Sequence, residues 1–253
     1  MADGNDFYLS RHEKRGLKRE KPRSGVEDRN VSEGVFDRRT LAALDKAMRR
    51  GFIDELVGII ATGKEANVYR GIRDGRSVAV KIYAVEAADF TRMTEYVRGD
   101  VRFGGWKNRR QLINTWAKKE YSNLMLASRA KVPCPATIGF MENILFMQFI
   151  GEKGKPAPRM KDSPPKNSQK AYDTTVDGIK KMWKGGLVHG DLSEYNILND
   201  AEKPVFIDFS QGLLTTHPNA QNLLERDIAN IAKYFRNQGV ESDEKEILQK
   251  VTK

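Results

Sequence analysis

Two carboxylates and an amide are spaced along the second half of the chain as phosphoryl transfer requires. The run H-G-D-L-S-E-Y-N carries Asp191 and Asn196 five positions apart, and Asp208 follows twelve residues later in I-D-F. A carboxylate can orient the attacking hydroxyl or water, and oxygen ligands can hold magnesium on the phosphates. An Asp and an Asn on one loop, with a second Asp on the next strand, supply these three groups.

The same spacing matches the paired motifs of protein kinases, H-R-D-L-x-x-x-N and D-F-G. Gly190 stands where that pattern has arginine, and Ser210 stands where it has the final glycine. A polar turn between two strands is the competing interpretation. Apolar residues flank both segments, in L-V-H-G-D and V-F-I-D-F, which favours a site between two buried strands over a solvated turn.

A lysine and a glutamate are predicted to complete the site as a buried ion pair. Lys81 ends the apolar run V-A-V-K, which matches the lysine-bearing strand of kinases. Burying its charge alone would be expensive, so an anionic partner is expected. Glu120 lies on the apolar face of a predicted helix, whereas Lys118 and Lys119 are predicted to point elsewhere. That face carries Ile113, Trp116, Ala117, Leu124 and Met125. The alternative is that Glu120 pairs with a surface lysine.

The segment 61–69, upstream of Lys81, has three interpretations, of which a plain hairpin turn is one. The segment A-T-G-K-E-A-N-V-Y keeps only the middle glycine, Gly63, of the kinase glycine-rich loop, whose backbone N–H groups cover phosphates. The stretch 58–64 also fits G-x-x-x-x-G-K, the start of a P-loop. Two features argue against that NTPase alternative. Glu65 stands where a magnesium-binding Ser or Thr is needed, and Ile59 and Ile60 favour a strand.

Composition narrows the classes of protein that the sequence can be. Its 253 residues, 39% of them hydrophobic, suit one large domain or two lobes that share a cleft. Cys134 is the single cysteine, so no internal disulfide partner is expected, and it cannot build a zinc site alone. No run of about 18 apolar residues and no apolar leader are present, so we expect no membrane contact and a cytoplasmic location. The net charge of +10 favours polyanionic partners.

Short strands come first and helices later, which predicts an α+β fold with two lobes. Residues 86–110 are expected to be loop with some helix, and residues 151–168, with four of the nine prolines, a connector. Strands are predicted at 55–61, 66–71, 77–83 and 144–150, and helices near 37–50, 114–130, 172–184 and 219–235. The predicted domains are a basic extension over 1–35, an N-lobe with an antiparallel sheet over 36–147, and a mainly helical C-lobe over 148–253.

Taken together, the motifs resemble those of the RIO atypical kinases. The segments T-G-K-E-A-N-V-Y and H-G-D-L-S-E-Y-N-I-L are similar to that family's signatures. I-D-F-S-Q followed by His217-Pro218 resembles its first subfamily, and the likeness runs over about 35–240. It implies a trimmed protein-kinase-like fold with ATP between the lobes. H-G-D and I-D-F also occur in small-molecule kinases of similar fold, which remain an alternative. The segment T-G-K-E-A-N-V-Y favours the RIO kinases over them.

The resemblance also implies roles for individual residues. Asp191 would be the catalytic aspartate, Asn196 and Asp208 the metal ligands, and Asp227 would hold the catalytic loop. Residues 147–150 would form the adenine hinge, and 86–110 a mobile loop near the nucleotide. The nucleotide contacts implied in this way are Thr62, Lys64, Glu65, Val68, Lys81, Glu120, Met147, Gln148, Ile150, Pro156 and Asn196.

The implied cofactors are ATP and Mg²⁺, with Mn²⁺ as an alternative metal. No A-P-E motif follows Asp208, so the peptide-docking platform of ordinary kinases is expected to be absent. The family pattern implies serine autophosphorylation, or an ATPase switch through a phosphorylated Asp208, in small ribosomal subunit maturation. A basic RNA- or ribosome-binding module that uses ATP to set its shape is the alternative. Its candidate phosphate contacts are Arg11, Lys14, Arg15, Lys18, Arg19, Lys21, Arg23, Lys107, Arg109 and Arg110.

Overall fold

The structure is a computed structural model that describes residues 36–85 and 90–253. The predicted basic extension over 1–35, with its seven candidate RNA contacts, lies outside the described residues. So do residues 86–89 of the predicted loop 86–110. Residues 39–253 form one compact unit.

The described residues form six helices and eleven strands. The helices are α1 (Arg38–Arg49), α2 (Phe90–Val97), α3 (Arg109–Arg129), α4 (Ser168–Lys184), α5 (Ala220–Asn237) and α6 (Glu244–Thr252). The first five strands are β1 (Glu55–Ala61), β2 (Ala66–Arg73), β3 (Arg76–Tyr83), β4 (Thr137–Met141) and β5 (Ile144–Gln148). The short strands are β6 (Gly151–Glu152), β7 (Lys155–Pro156), β8 (Leu187–Val188), β9 (Ile197–Asp200), β10 (Lys203–Phe206) and β11 (Leu213–Leu214).

The first five strands form one antiparallel sheet in the order β1-β2-β3-β5-β4. Asp74 and Gly75 join β2 to β3 with both φ values positive, 49° and 73°, as a tight two-residue hairpin requires. The sheet and the later helices confirm the predicted α+β kinase-like fold. β4 was not predicted, because Gly139 interrupts its apolar pattern. A Cβ at Gly139 would lie 2.9 Å from the ring of Phe52, so the glycine makes room for that ring.

Helix α3 is longer than predicted. The expected start near Asn114 is wrong, since Asn108 caps the helix and accepts a hydrogen bond from Gln111 N at 3.0 Å. Charged residues in the first turn hid this start, because the prediction followed the apolar stripe. The expected orientation of Lys119 is also wrong, for Lys119 is fully buried whereas Lys118 is exposed.

The segment predicted as loop with some helix contains α2. Met93 and Val97 of this helix are buried in one cluster with Leu112 and Trp116 of α3. The N-lobe therefore has a small second core on the side of α3 that faces α2. The mobile loop that the resemblance implies for 86–110 does not describe residues 90–97, which are helical and packed.

The C-lobe is built from α4, α5 and α6 around two short sheets, β8 with β11 and β9 with β10, whose connections carry the predicted catalytic motifs. Phe206 and Phe209 are fully buried there, and a Cβ at Gly178 of α4 would lie 2.7 Å from the ring of Phe206. On α4, the predicted stripe is largely confirmed, since Tyr172, Val176 and Ile179 are buried and only Trp183 is half-buried. Helix α6 was not predicted. No helix in the described ranges is long and apolar enough to cross a lipid bilayer.

Candidate active site

Lys81, Glu120 and Asp208 meet between the sheet and the C-lobe. Nζ of Lys81 lies 3.0 Å from Oε1 and 2.9 Å from Oε2 of Glu120, and 2.9 Å from Oδ1 of Asp208. Lys81 is on β3, Glu120 is in the middle of α3, and Asp208 follows β10. The predicted contact between Lys81 and Glu120 is present, and Asp208 shares the same cation.

The three charges shift one another's protonation. Burial lowers the pKa of Lys81, but the carboxylates of Asp208 and Glu120 outweigh burial and hold this pKa above its ordinary value. Burial also opposes ionisation of Asp208, yet Lys81 lowers the pKa of that carboxyl to about 2. For Glu120 burial prevails and raises the pKa to about 7, although Lys81 acts in the other direction. At neutral pH the lysine is charged and Asp208 is fully ionised.

Tyr83 is a further partner of Glu120 that the sequence analysis did not identify. Its hydroxyl donates to Oε2 of Glu120, and its side chain is 1% exposed. The backbone N–H of Phe209 also donates to Glu120. Tyr83 lies two positions after Lys81 on β3, on the same face of the strand. That alternation is the signal in the sequence that places Tyr83 beside the ion pair.

The loop that carries Asp191 and Asn196 is bonded to the residue before Asp208. Ile207 N donates to Asn196 O at 3.0 Å, and Ile207 O lies 3.0 Å from Nε2 of His189. Within the loop, Nδ2 of Asn196 donates to Asp191 O at 2.8 Å and lies 3.3 Å from Oδ2 of Asp191. The loop and Asp208 are therefore fixed relative to each other through Ile207.

Asp227 of α5 holds the same loop from the side of the C-lobe core. Its two carboxylate oxygens accept from Gly190 N and Leu192 N, each at 2.8 Å. These two amides flank Asp191, so the backbone at Asp191 is held on both sides. Burial raises the pKa of Asp227 to about 7, against the effect of the two donors. The contact that the family resemblance implied for Asp227 is present.

Asp208 has an unusual backbone conformation, and its two carboxylate oxygens differ in their hydrogen bonds. Its φ is 62°, which is uncommon for a residue other than glycine. Oδ1 accepts from both Lys81 and the hydroxyl of Ser210, the latter at 2.8 Å. Ser210 replaces the last glycine of the kinase motif, and it adds a donor there. Among the residues that the structure describes, no hydrogen-bond donor reaches Oδ2, which leaves that oxygen available to a ligand.

Thr62, Lys64 and Glu65 lie in the turn between β1 and β2. Thr62 and Lys64 are exposed, and Glu65 is half-buried. Val68, on β2, faces Lys81 across the antiparallel pair of β2 and β3. Because a strand follows this turn, and a P-loop is followed by a helix, the P-loop alternative is wrong.

The predicted hinge residues connect the sheet to the C-lobe. Met147 is buried, Gln148 is exposed, and β5 ends at Gln148 where the prediction extended it to Ile150. Ile150 O accepts from Ala157 N at 3.0 Å, and this bond closes the hairpin that β6 and β7 form between the two residues. Pro156 is exposed on β7. The stretch predicted as a plain connector therefore contains a short hairpin.

Comparisons with known proteins identify the family. The model described as the RIO domain matches residues 67–247. The RIO-type serine/threonine-protein kinase Rio1 of Methanocaldococcus jannaschii is 39% identical, over 100% of this chain and 87% of that protein. The chain belongs to the RIO family. Rio1 of Haloferax volcanii is 40% identical, over 88% of this chain and 77% of that protein.

A solved structure supports the fold of this RIO kinase. The Rio2 kinase-ADP/Mg²⁺-phosphoaspartate complex of Chaetomium thermophilum superposes with a TM-score of 0.64 at 25% identity. The match covers 83% of this chain and 66% of that one, so the chain spans slightly less than two thirds of the Rio2 chain. The relatives make the chain an atypical kinase of the RIO1 type, as the motifs predicted.

The oxygen atoms at the site of this RIO kinase suit magnesium as ligands. Asn196 and Asp208 offer amide and carboxylate oxygens, the ligands that Mg²⁺ takes, and Oδ2 of Asp208 has no donor among the described residues. No three His, Cys, Asp or Glu side chains cluster as a metal cage in the ranges 36–85 and 90–253. A magnesium ion bound here must therefore complete its shell with phosphate oxygens and water, which is its usual manner of binding nucleotides.

Proposed function

We propose that this RIO kinase transfers the γ-phosphoryl group of ATP in an Mg²⁺-dependent reaction. The observation that carries the proposal is the position of Lys81, whose ammonium group contacts both Glu120 and Asp208. A lysine fixed in this way presents its charge to nucleotide phosphates in the kinase manner. The loop with Asp191 and Asn196 is joined to Asp208 through Ile207, which supports a single site for all the groups that phosphoryl transfer needs.

The roles divide among the residues as follows. Asp191 orients the attacking hydroxyl or water and accepts its proton, since it extends from a loop that Asn196 and Asp227 hold. Asn196 and Asp208 supply the oxygen ligands of Mg²⁺, and Mn²⁺ is the alternative metal. When bound, the metal offsets the charge of the phosphate oxygens. Lys81 contacts the phosphates, and Glu120 keeps it in place.

The nucleotide is proposed to lie between an N-lobe over 36–147 and a C-lobe over 148–253. Thr62, Lys64, Glu65 and Val68 lie above its phosphates. At the adenine end, Met147, Gln148, Ile150 and Pro156 line the site. Ile150 O accepts from Ala157 N, which anchors the hinge to the short hairpin, and the backbone of the hinge is proposed to bond the base.

Two acceptors fit the site. Relatives named as serine/threonine-protein kinases support transfer to a serine or threonine hydroxyl, and we propose serine autophosphorylation as one form of it. The Rio2 complex with phosphoaspartate supports a second route, in which Asp208 accepts the phosphoryl group. In that route an oxygen of Asp208 forms a bond to the γ-phosphorus, and the bond to the bridging oxygen of ADP breaks. Water then hydrolyses the acyl phosphate, which completes an ATPase cycle.

We further propose that the cycle serves maturation of the small ribosomal subunit in the cytoplasm. The net charge of +10 suits ribosomal RNA as a partner. Of the candidate contacts in the described part, Lys107 and Arg109 are exposed, although the Arg109 guanidinium also lies 3.8 Å from the centre of the Phe90 ring. RNA affinity that falls steeply with added salt is expected. Absence of binding at low salt would contradict the RNA contact but not the chemistry.

Transfer from γ-labelled ATP tests the chemistry. We expect Asp191→Ala to lower ATP turnover by about 100-fold or more, the scale of lost general acid–base catalysis. Asp208→Asn should abolish acid-labile label on the protein if Asp208 is the acceptor. Asp173→Asn, on the exposed face of α4, is the matched control and should behave as wild type. Normal turnover of Asp191→Ala would contradict the proposed function.

A further inference from the structure

Lys119 places a lysine ammonium group in the interior, one position before Glu120 on α3. The residue is fully buried, and Nζ donates to Ser210 O at 2.8 Å and to Gly212 O. Both acceptors belong to the segment 209–212, which directly follows Asp208. Helix α3 therefore contacts both halves of the proposed site, through Glu120 to Lys81 and through Lys119 to the segment after Asp208.

Asn123 is a second, independent contact from α3 to the segment 209–212. Its Nδ2 donates to Phe209 O at 2.8 Å and to Gly212 O at 2.9 Å. Asn123 is fully buried. A Cβ at Gly212 would lie 2.9 Å from this Nδ2 atom, so only glycine allows α3 to approach the segment so closely. Three of the four carbonyls in 209–212 accept hydrogen bonds from α3.

The lysine is a costly choice for this position, which argues for a specific role. Burial lowers the pKa of Lys119 to about 7, while Asp100 acts in the opposite direction and Arg102 adds to the lowering. The Trp116 ring lies 5.4 Å from Nζ. An apolar side chain of similar length would avoid the cost of burying the amine. It would also leave Ser210 O without its donor from α3, and buried carbonyls are rarely left unsatisfied.

We propose that Lys119 and Asn123 are positioning residues that fix Asp208 by holding the segment 209–212 against α3. Because Glu120 is on the same helix, α3 sets the spacing between Lys81 and Asp208. The left-handed φ of Asp208 is maintained by this support from the residues that follow it. The part of the inference that concerns the metal rests on the proposed function. The part that concerns the segment 209–212 does not.

Amide hydrogen exchange without nucleotide tests the hold on the segment. Gly212 N donates to Phe209 O at 3.1 Å, so its exchange reports whether the segment stays closed. In Lys119→Met we expect amides of 209–212 to exchange about tenfold faster than in wild type, as loss of buried hydrogen bonds allows. Lys118→Met, at the exposed neighbouring position, is the matched control and should match wild type. Equal exchange in Lys119→Met and Lys118→Met would overturn the proposal.

The gain in ADP affinity on adding Mg²⁺ tests the effect on Asp208. This gain is the ratio of dissociation constants without and with the metal, so a loss of folded protein does not change it. We expect the ratio to fall about tenfold in Lys119→Met and in Asn123→Leu, and to be unchanged in Lys118→Met. Asn123→Leu nearly keeps the side-chain volume and is compatible with the helix. This variant tests the proposal if Lys119→Met does not fold.

The outcomes separate the two proposals. If the ADP affinity of the wild-type protein does not respond to Mg²⁺, the proposed function is contradicted. Hydrogen exchange alone then tests whether Lys119 and Asn123 hold the segment 209–212. A normal metal response that both variants retain in full overturns the role in positioning Asp208, and the proposed function stands.

Discussion

Nζ of Lys81 lies 2.9 Å from Oδ1 of Asp208, although 127 positions separate the two residues along the chain. The contact joins the N-terminal sheet to the segment after β10 without any intervening side chain. With Glu120 on the same ammonium group, two carboxylates face one cation. When both are ionised the trio carries one net negative charge, which favours the arrival of a further cation such as Mg²⁺.

Glu120→Gln is expected to impair both turnover and stability. The substitution keeps the shape of the side chain but removes the charge that faces Lys81, and breaking a buried pair costs about 3–5 kcal/mol. Because an amide oxygen can still accept one hydrogen bond, we expect a loss nearer 2–3 kcal/mol in the free energy of unfolding. ATP turnover should fall on the order of 100-fold, since Lys81 is no longer held.

Urea denaturation and steady-state ATP turnover measure these two effects of Glu120→Gln. Glu95→Gln, at an exposed position of α2 in the same lobe, is the control and should change neither quantity. Wild-type turnover in Glu120→Gln would show that the contact between Glu120 and Lys81 has no part in nucleotide use.

Tyr83→Phe is expected to move the acid limb of the pH–rate profile to higher pH. Burial raises the pKa of Glu120 to about 7, so the ionised form that holds Lys81 is lost as the pH falls through that region. The Tyr83 hydroxyl donates to Glu120 and thereby favours the ionised form. Its removal must raise the pKa of Glu120 further, and activity is then lost at a higher pH.

The profile of ATP turnover between pH 5 and pH 9 shows whether Tyr83 acts through Glu120. Tyr121→Phe is the control, because the Tyr121 ring packs on Phe140 on a different face of α3. A uniform loss of activity in Tyr83→Phe, with the limb unmoved, would indicate a packing role alone.

Asp208 should contribute to stability in a defined acid range. Lys81 holds the pKa of Asp208 at about 2, below the ordinary 3.8. A depressed pKa gives stability that is present above pH 3.8 and is lost as the pH falls towards 2. The side chain is 39% exposed, so solvent screening reduces the contribution to about 1 kcal/mol. Denaturant unfolding at pH 4 and pH 2 should therefore show a smaller pH dependence in Asp208→Asn than in wild type. An equal dependence would contradict the pairing.

The local motifs predicted the neighbourhood of the site because each lies within one element or one turn. Asp191 and Asn196 share a loop, and Lys81 is at an alternating position of an apolar strand. The partner of Lys81 followed from helical periodicity alone, as Glu120 lies on a buried face. Such short-range patterns are set by backbone geometry, so the sequence contains them.

The misplacement of Lys119 has a physical reason. A single-stripe prediction assumes that a helix is buried on one side, but α3 packs on the sheet with one face and on the segment 209–212 with another. Lys119 and Asn123 lie on that second face, where polar groups are buried because backbone carbonyls need donors. Strand β4 was not predicted for a similar reason. Gly139 makes room for the Phe52 ring, and this tertiary contact cannot be read from the local pattern.

Gly151→Ala is expected to damage the hinge side of the nucleotide site. Gly151 has φ of 141°, and a Cβ there would lie 2.2 Å from Lys155 O and 2.7 Å from Ala157 N. Alanine must open the pair of β6 and β7 and weaken the bond from Ala157 N to Ile150 O. We expect a loss of about 2–4 kcal/mol in the free energy of unfolding, together with a raised KM for ATP.

Gly75→Ala separates backbone conformation from the steric clash. Gly75 also has a positive φ, 73°, but no atom lies within 4 Å of a Cβ built there. Its substitution should therefore cost only the left-handed conformation, about 1 kcal/mol, and leave the KM for ATP unchanged. If urea denaturation gave the two variants equal stability and their KM values agreed, the hairpin at 151–156 would have no part in shaping the hinge. A larger loss in Gly151→Ala with a higher KM follows directly from the position of Lys155 O, because that oxygen occupies the space an alanine methyl needs.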